Sequence, residues 1–211
     1  MKYISKKLFL IPLLSLLIAA MAYPQLPEQI PIHFDFSGTP DNYSGKLFIF
    51  VTPALSLLLT AMAELMPKAD PKKESYEKFP KAYQMIHVLT NLLLLGTNML
   101  IIAISLGYDI DAGTFVMMAV GILFIIIVNY MPKFKQSFFC GIKTPWALAD
   151  EENWYKTHRM SGRLWMIGGF VFLIVPFLND ALMPIVLGLN FIVLILLPYL
   201  YSYWIFRKKF K

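Results

Sequence analysis

The chain has 211 residues, 58% hydrophobic and 15% charged, against roughly 45–50% and about 25% in soluble domains, which excludes a disordered protein and argues against a soluble enzyme. About 120 apolar residues suffice for about six membrane helices of ~20 residues each. The formal charge of +6 makes the placement of the 19 Lys and Arg residues the test of nucleic-acid binding, and the single cysteine, Cys140, excludes an internal disulfide and a Cys-rich metal site.

Six apolar runs predict spans over Leu8 to Ala22, Leu47 to Met66, Gln84 to Tyr108, Ala112 to Met131, Leu164 to Phe177 and Met183 to Phe206. The fold class is an all-α polytopic membrane protein with six transmembrane helices. The first and fifth runs are short for ~30 Å of hydrocarbon, but they can extend back to Ile4 and forward to Leu182. Of the 19 basic residues, 18 flank the runs on one side and only Lys46 lies on the other. The positive-inside rule therefore predicts that both termini are cytoplasmic. The opposite loops carry Glu28, Asp35, Asp41, Asp109, Asp111 and Asp180 and are net acidic. The basic excess thus reports topology and contact with an anionic lipid bilayer, and direct nucleic-acid binding is set aside.

Lys2, Lys6 and Lys7, the apolar run and then Ala20-Met21-Ala22 also fit a signal peptide, whose cleavage after residue 22 would leave five spans. Tyr23 and Pro24 lead directly into an informative loop, which favours retention. The mass of the mature N-terminus separates the two.

The long outer loop runs from Tyr23 to Lys46. Pro24, Pro27 and Pro31 forbid a regular helix, and Ile32, Phe34 and Phe36 alternate with His33 and Asp35, predicting a half-buried strand over Ile32 to Phe36. Ser37 to Pro40 supply a turn, and Asp41 with Asn42 a second. His33 and Asp35 share a strand face. They could bind a metal or titrate together, or simply form an exposed polar face, since no third ligand is evident. Lys46 is suited to anchoring the outer end of span two at the headgroups.

Span two holds Glu64 near its inner end and span three holds His87 at similar depth, a pair that a proton-coupled or small-solute transporter could use. Asn91 and Asn98, seven apart in span three, share a face and read first as interhelical hydrogen-bonding groups, second as a solute path.

The long inner loop runs from Pro132 to Arg163. Gly141 and Thr144-Pro145 predict a turn and then extended chain. Asp150 is a good N-cap, with Glu151 and Glu152 in the first turn and Lys156, His158, Arg159 and Arg163 later, so a short helix is expected over Glu151 to Arg163. Trp154, His158 and Ser161 share one face of it. This is either a cytoplasmic docking surface or an interfacial helix that anchors spans four and five. No nucleophile stands at motif spacing from a base, so no enzymatic site is visible and no cofactor or metal is implied.

The outer-loop stretch Leu26-Pro27-Glu28-Gln29-Ile30-Pro31-Ile32-His33-Phe34, with Gly38 and Lys46, is similar to the uncharacterised N-terminal domain that often accompanies the SdpI family of bacterial membrane proteins. Gly141-Ile142-Lys143-Thr144-Pro145-Trp146, then Trp154, Thr157, His158 and Arg159, resembles that family's inner-loop signature at its usual spacing. The resemblance covers most of the chain and divides it into an N-terminal helical hairpin with its outer loop (1–66) and a four-helix membrane region (84–206) with the signature loop 132–163. Ser137 and Lys143 depart from the family's common Asn and Arg, and Ala147 from its frequent Thr. Lys keeps the charge at 143 without the planar two-pronged donor. The resemblance implies an immunity protein that resists a secreted toxin peptide, with sequestration of a cytoplasmic transcriptional repressor in the founding member. The contact candidates are then His33, Asp35 and Asp41 outside, and Gly141, Lys143, Thr144, Pro145, Trp146, Trp154, Thr157, His158 and Arg159 inside.

Overall fold

Six stretches of the structure, which is a computed structural model, are long and apolar enough to cross a membrane: Lys6–Gln25, Lys46–Ala69, Pro80–Ser105, Ala112–Lys133, Glu151–Phe177 and Leu182–Lys209. The structure describes residues 3–35, 38–179 and 181–209. Lys2, Phe36, Ser37, Asp180 and Lys211, to which the sequence assigns parts in basic flanks, strand, turn and acidic loop, lie outside the described residues.

The α-helices are α1 (Leu10–Ala22), α2 (Val51–Ala69), α3 (Pro80–Ser105), α4 (Ala112–Val128), α5 (Pro145–Ala149), α6 (Glu151–Ile174) and α7 (Leu182–Lys209). Short 3-10 turns over Lys6–Phe9, Tyr23–Gln25 and Lys46–Phe50 lengthen the first two spans. The starts follow local chemistry. Asp111, Thr144 and Asp150 cap α4, α5 and α6, accepting hydrogen bonds from the backbone N–H of Thr114 (2.9 Å), Ala147 (3.1 Å) and Asn153 (3.3 Å). Proline opens α3 and α5, where its missing N–H costs nothing.

One expectation changes. The short helix over Glu151 to Arg163 is not a separate element, because α6 runs unbroken from Glu151 to Ile174 and carries the fifth span. Its first half is polar in sequence yet buried, with Asn153, Thr157, His158 and Ser161 all inaccessible. Their polar groups are satisfied inside the protein, so the hydropathy falls there without the helix ending.

Helices α1, α2 and α3 pack on one another, and α4 and α7 pack on α6. Helix α3, which the sequence groups with the C-terminal region, thus lies against both α1 and α2 as well as α4. Asn91 and Asn98 join this first bundle: Asn91 meets Ser56 and Thr60 of α2, and Asn98 Nδ2 donates to the Ile49 carbonyl at 2.9 Å. Such interhelical bonds contribute about 0.6–2 kcal/mol each in a membrane. In the second bundle Gly121 and Gly169 let α4 and α6 approach so closely that a Cβ at Gly121 would lie 2.8 Å from the Gly169 carbonyl oxygen.

Two apolar cores cap the helices at opposite ends. Ile4 and Leu8, Tyr76, Phe79 and Tyr83, and Phe134, Cys140 and Trp154 form the core at the basic end. Ala19, Leu26, Ile30, Ile49, Ile101 and Ile102 form the other. The loop over this second core is an antiparallel hairpin of β1 (Gln29–Phe34) and β2 (Pro40–Gly45), with Ile30 opposite Ser44 and His33 opposite Asn42. The strand therefore starts three residues before the predicted one, and Asp41 and Asn42, expected in a turn, belong to β2.

Candidate functional site

At the basic end the signature residues form a knot built around α6. Trp154 and His158 lie one turn apart, and their rings stack at 4.2 Å. The Trp154 indole N–H donates to the Phe134 carbonyl at 2.9 Å. His158 Nε2 accepts from the backbone N–H of Ile142 at 2.9 Å, which fixes the other proton on Nδ1, where it donates to the Trp154 carbonyl at 2.8 Å. This neutral imidazole staples the loop to the helix. Gly141 is required beside it: its φ is +103° and a Cβ there would sit 2.5 Å from His158 Nε2.

A second polar set closes the knot against α7. Asn153 Nδ2 donates to the Ser202 carbonyl at 2.8 Å, while the Ser202 and Thr157 hydroxyls donate to Asn153 Oδ1 at 2.8 and 3.0 Å. The Thr144 hydroxyl meets Ser202 Oγ. Trp146 packs on Tyr199 and Tyr203 of α7 at 5.2 and 4.9 Å. Lys209 at the end of α7 ties to Asp150 at 2.9 Å, which holds the Asp150 carboxyl below the usual carboxylate range.

Asp70, which the sequence reading passed over, is the matching anchor from the other half. It is buried at the C-terminus of α2 and accepts from the Lys72 N–H (2.7 Å), the Tyr76 hydroxyl (2.7 Å) and the Phe138 N–H (2.8 Å). Burial and this bond push the Tyr76 phenol up from its ordinary value. Beside it Lys72 Nζ donates to Gln136, whose amide donates in turn to the Ala147 and Leu148 carbonyls at 2.7 and 2.9 Å. An Asp-Pro pair directly after a span was the available signal.

These partners correct part of the docking surface expected inside. Gly141, Thr144, Trp154, Thr157 and His158 are engaged within the chain, and the last four are at most 1% exposed. Lys143, Pro145 and Arg159 are the signature residues that reach the surface, with Trp146 half-buried. The thiol of Cys140, held in the same core, is pushed up to about 12 by burial.

At the acidic end the hairpin tip docks on the start of α4. Gly38, with φ +81°, lies so close to this helix that a Cβ would meet Asp111 Oδ1 at 2.5 Å and the Gly113 nitrogen at 2.7 Å. The hydrogen bonds from the Thr114 hydroxyl and N–H hold the Asp111 carboxyl below its ordinary range. His33 Nδ1 pairs with Asp41 at 2.6 Å across the hairpin, not with Asp35, whose Oδ1 accepts from the Thr39 N–H in the turn. Among the described residues no three His, Cys, Asp or Glu side chains gather as a metal group. Lys46 pairs with Glu28 at 2.9 Å and lies over the Tyr23 ring, tying the base of the hairpin to α1.

Beneath the hairpin an apolar groove of about 400 Å³ opens between its inner edge and three helices. Ile32 and Phe34 form one wall, Val116 and Met117 of α4 the floor, and Phe172 of α6 and Phe191 of α7 the far side. His33 and Asp35 stand at its mouth. The groove can hold a narrow apolar chain, with Asp35 as the acid in its lining. The intramembrane pair expected of a transporter is not formed: Glu64 pairs with Lys68 at 3.3 Å, and His87 lies edge-on to the Tyr83 ring at 4.7 Å.

Comparison with known proteins covers both ends. Residues 133–202 match the model of the SdpI/YfhL protein family, and residues 10–57 that of a domain of unknown function, DUF1648. The first contains most of the knot, from Phe134 to Ser202, without Tyr203 and Lys209; the second contains α1 and the hairpin. The chain is 27% identical to "Immunity protein SdpI" of Bacillus subtilis (strain 168) over 195 residues, 92% of each chain. No solved structure matches. With the knot at its basic end, the hairpin at its acidic end and nearly its full length matched in this way, the chain is similar to the SdpI family and is a multi-pass bacterial membrane protein.

Proposed function

We propose that this chain is an immunity protein that protects its cell against a secreted, membrane-active toxin peptide, with both termini in the cytoplasm and the hairpin outside. The observation that carries this reading is the similarity to an immunity protein along 92% of both chains, outer hairpin and inner knot together. The orientation rests on the 18 basic residues of one face.

The toxin is received in the groove under the hairpin. An apolar peptide segment lies against Phe34, Val116 and Phe172, and Asp35 in the lining, together with the net acidic charge of the loops at this end, attracts its cationic residues. Binding there occupies the peptide before it can insert elsewhere in the bilayer. Repressor docking at the inner face, the second role that the resemblance carries, falls to the exposed Lys143, Pro145 and the edge of Trp146. Expression of the chain in toxin-sensitive cells tests the proposal. Survival at toxin concentrations that kill the vector control supports it, and unchanged killing across several such peptides refutes it.

A further inference from the structure

At the basic end, between α4 and α6, a cleft of about 440 Å³ is lined by Val128, Arg159, Gly162, Arg163, Met166 and Ile167. Arg159 and Arg163 are one helical turn apart and exposed, on the face opposite the buried Trp154 and His158. Neither makes an ion pair or a side-chain hydrogen bond among the described residues. No acid lines the cleft, and Asp150 and Glu152 at the start of the same helix are paired with Lys156 and Lys209. Two guanidinium groups therefore keep their full charge at the mouth of an apolar cleft.

The shape of the cleft continues the argument. Gly162 lies between the arginines in sequence, and a Cβ there would be in van der Waals contact with Met131 and Val128 at 3.8 Å, so the end of α4 packs on α6 at the floor of the cleft. Met166 and then Ile167, 62% exposed, carry an apolar wall from the arginines along α6 toward the middle of the span. Cationic mouth and apolar wall follow one another along a membrane helix in the same order as headgroup and acyl chain in a phospholipid.

We infer that this cleft is a binding site for an anionic phospholipid, with Arg159 and Arg163 clasping the headgroup phosphate and an acyl chain lying along Met166 and Ile167. Guanidinium groups suit this role because each offers two parallel N–H donors to a phosphate. The site gives Arg159, the surface-exposed neighbour of His158, a ligand: the knot that buries His158 aims Arg159 at the lipid. Bound there, the lipid braces α4 against α6 at the end where the signature loop departs.

Native mass spectrometry of the full chain in detergent tests this with dioleoyl-phosphatidylglycerol as the probe, dioleoyl-phosphatidylcholine as the neutral control, and inorganic phosphate alone. The parent should retain phosphatidylglycerol in preference to phosphatidylcholine and should not retain phosphate. Arg159→Gln with Arg163→Gln should weaken phosphatidylglycerol binding on the order of twentyfold, about fivefold for each charge. Arg159→Lys with Arg163→Lys, which keeps the charge and serves if the glutamine pair fails to fold, should retain most of it. Lys81→Gln with Lys133→Gln, at the neighbouring α3–α4 cleft, should change it less than twofold. Equal binding of the two lipids, equal binding by the parent and the glutamine pair, or retention of inorganic phosphate as tight as that of the lipid would each overturn the inference. So would loss of a protein partner in the glutamine pair with lipid binding unchanged.

Discussion

His158 Nε2 accepts the backbone N–H of Ile142 at 2.9 Å, across 16 residues of chain, and in doing so joins the start of the signature loop to the helix that carries the fifth span. The bond exists only because Gly141 has no side chain at the point of contact. Glycine, tryptophan and histidine of the signature are thus one packing unit.

This unit predicts the reactivity of Cys140, its neighbour in the chain. Buried and held as a thiol by burial, Cys140 should react with maleimide at least tenfold more slowly in the folded protein than after unfolding in dodecyl sulfate. His158→Ala leaves the Ile142 N–H without its partner, a cost of about 1–3 kcal/mol. It should raise the labelling rate by loosening the loop, and Gly141→Ala should do the same through its clash. Labelling as slow as the parent's in both variants would show that the loop is held by something else.

Asp70 links the halves of the molecule. Asp70→Ala strips the buried Tyr76 hydroxyl and the part-buried Phe138 N–H of their acceptor, and a loss of about 1–3 kcal/mol is expected, mostly from the buried hydroxyl left unpaired. Thermal unfolding in detergent measures it, with Glu74→Ala as the exposed control in the same loop. Equal melting of the two variants would remove Asp70 from this role.

The tether between Asp150 and Lys209 should respond to acid. The folded state holds the Asp150 carboxyl below its unfolded value, so the stabilisation is complete above the ordinary carboxylate range, near pH 4, and is lost as pH falls through the folded value. Asp150→Asn should therefore melt below the parent at neutral pH, and the gap should narrow toward about pH 3. A gap that stays constant over this range would show that charge at Asp150 does not matter.

At the acidic end, the close approach of Gly38 to Asp111 and Gly113 predicts that Gly38→Val lifts the hairpin tip from α4 while leaving the spans inserted. Trypsin added to the hairpin side of sealed vesicles should then cut at Lys46 faster than in the parent. An unchanged rate would mean that the tip does not hold the hairpin.

The six spans were legible because hydrocarbon selects apolar runs of sufficient length, and the ends shift by a few residues where capping decides them. Asp111 and Asp150 mark two of those ends in the sequence itself. The unbroken α6 was hidden because its buried face, Asn153, Thr157 and Ser161, is polar and satisfied by α7 and its own backbone, which hydropathy cannot see. His33 illustrates a second limit. The strand pattern placed it beside Asp35, but its partner Asp41 comes from the opposite strand, and pairing across a hairpin depends on a register with bulges at this very point. The groove was illegible for a similar reason, since its walls come from β1, α4, α6 and α7, far apart in sequence.

The most direct measurement is the survival of toxin-sensitive bacteria expressing either the parent or Val116→Trp at equal abundance in the membrane, because residue 116 lines the groove and the indole fills it. The parent should protect, and the groove-filled variant should need at least tenfold less toxin to be killed. Protection by neither, or equal protection by both, would contradict an immunity that works through the groove.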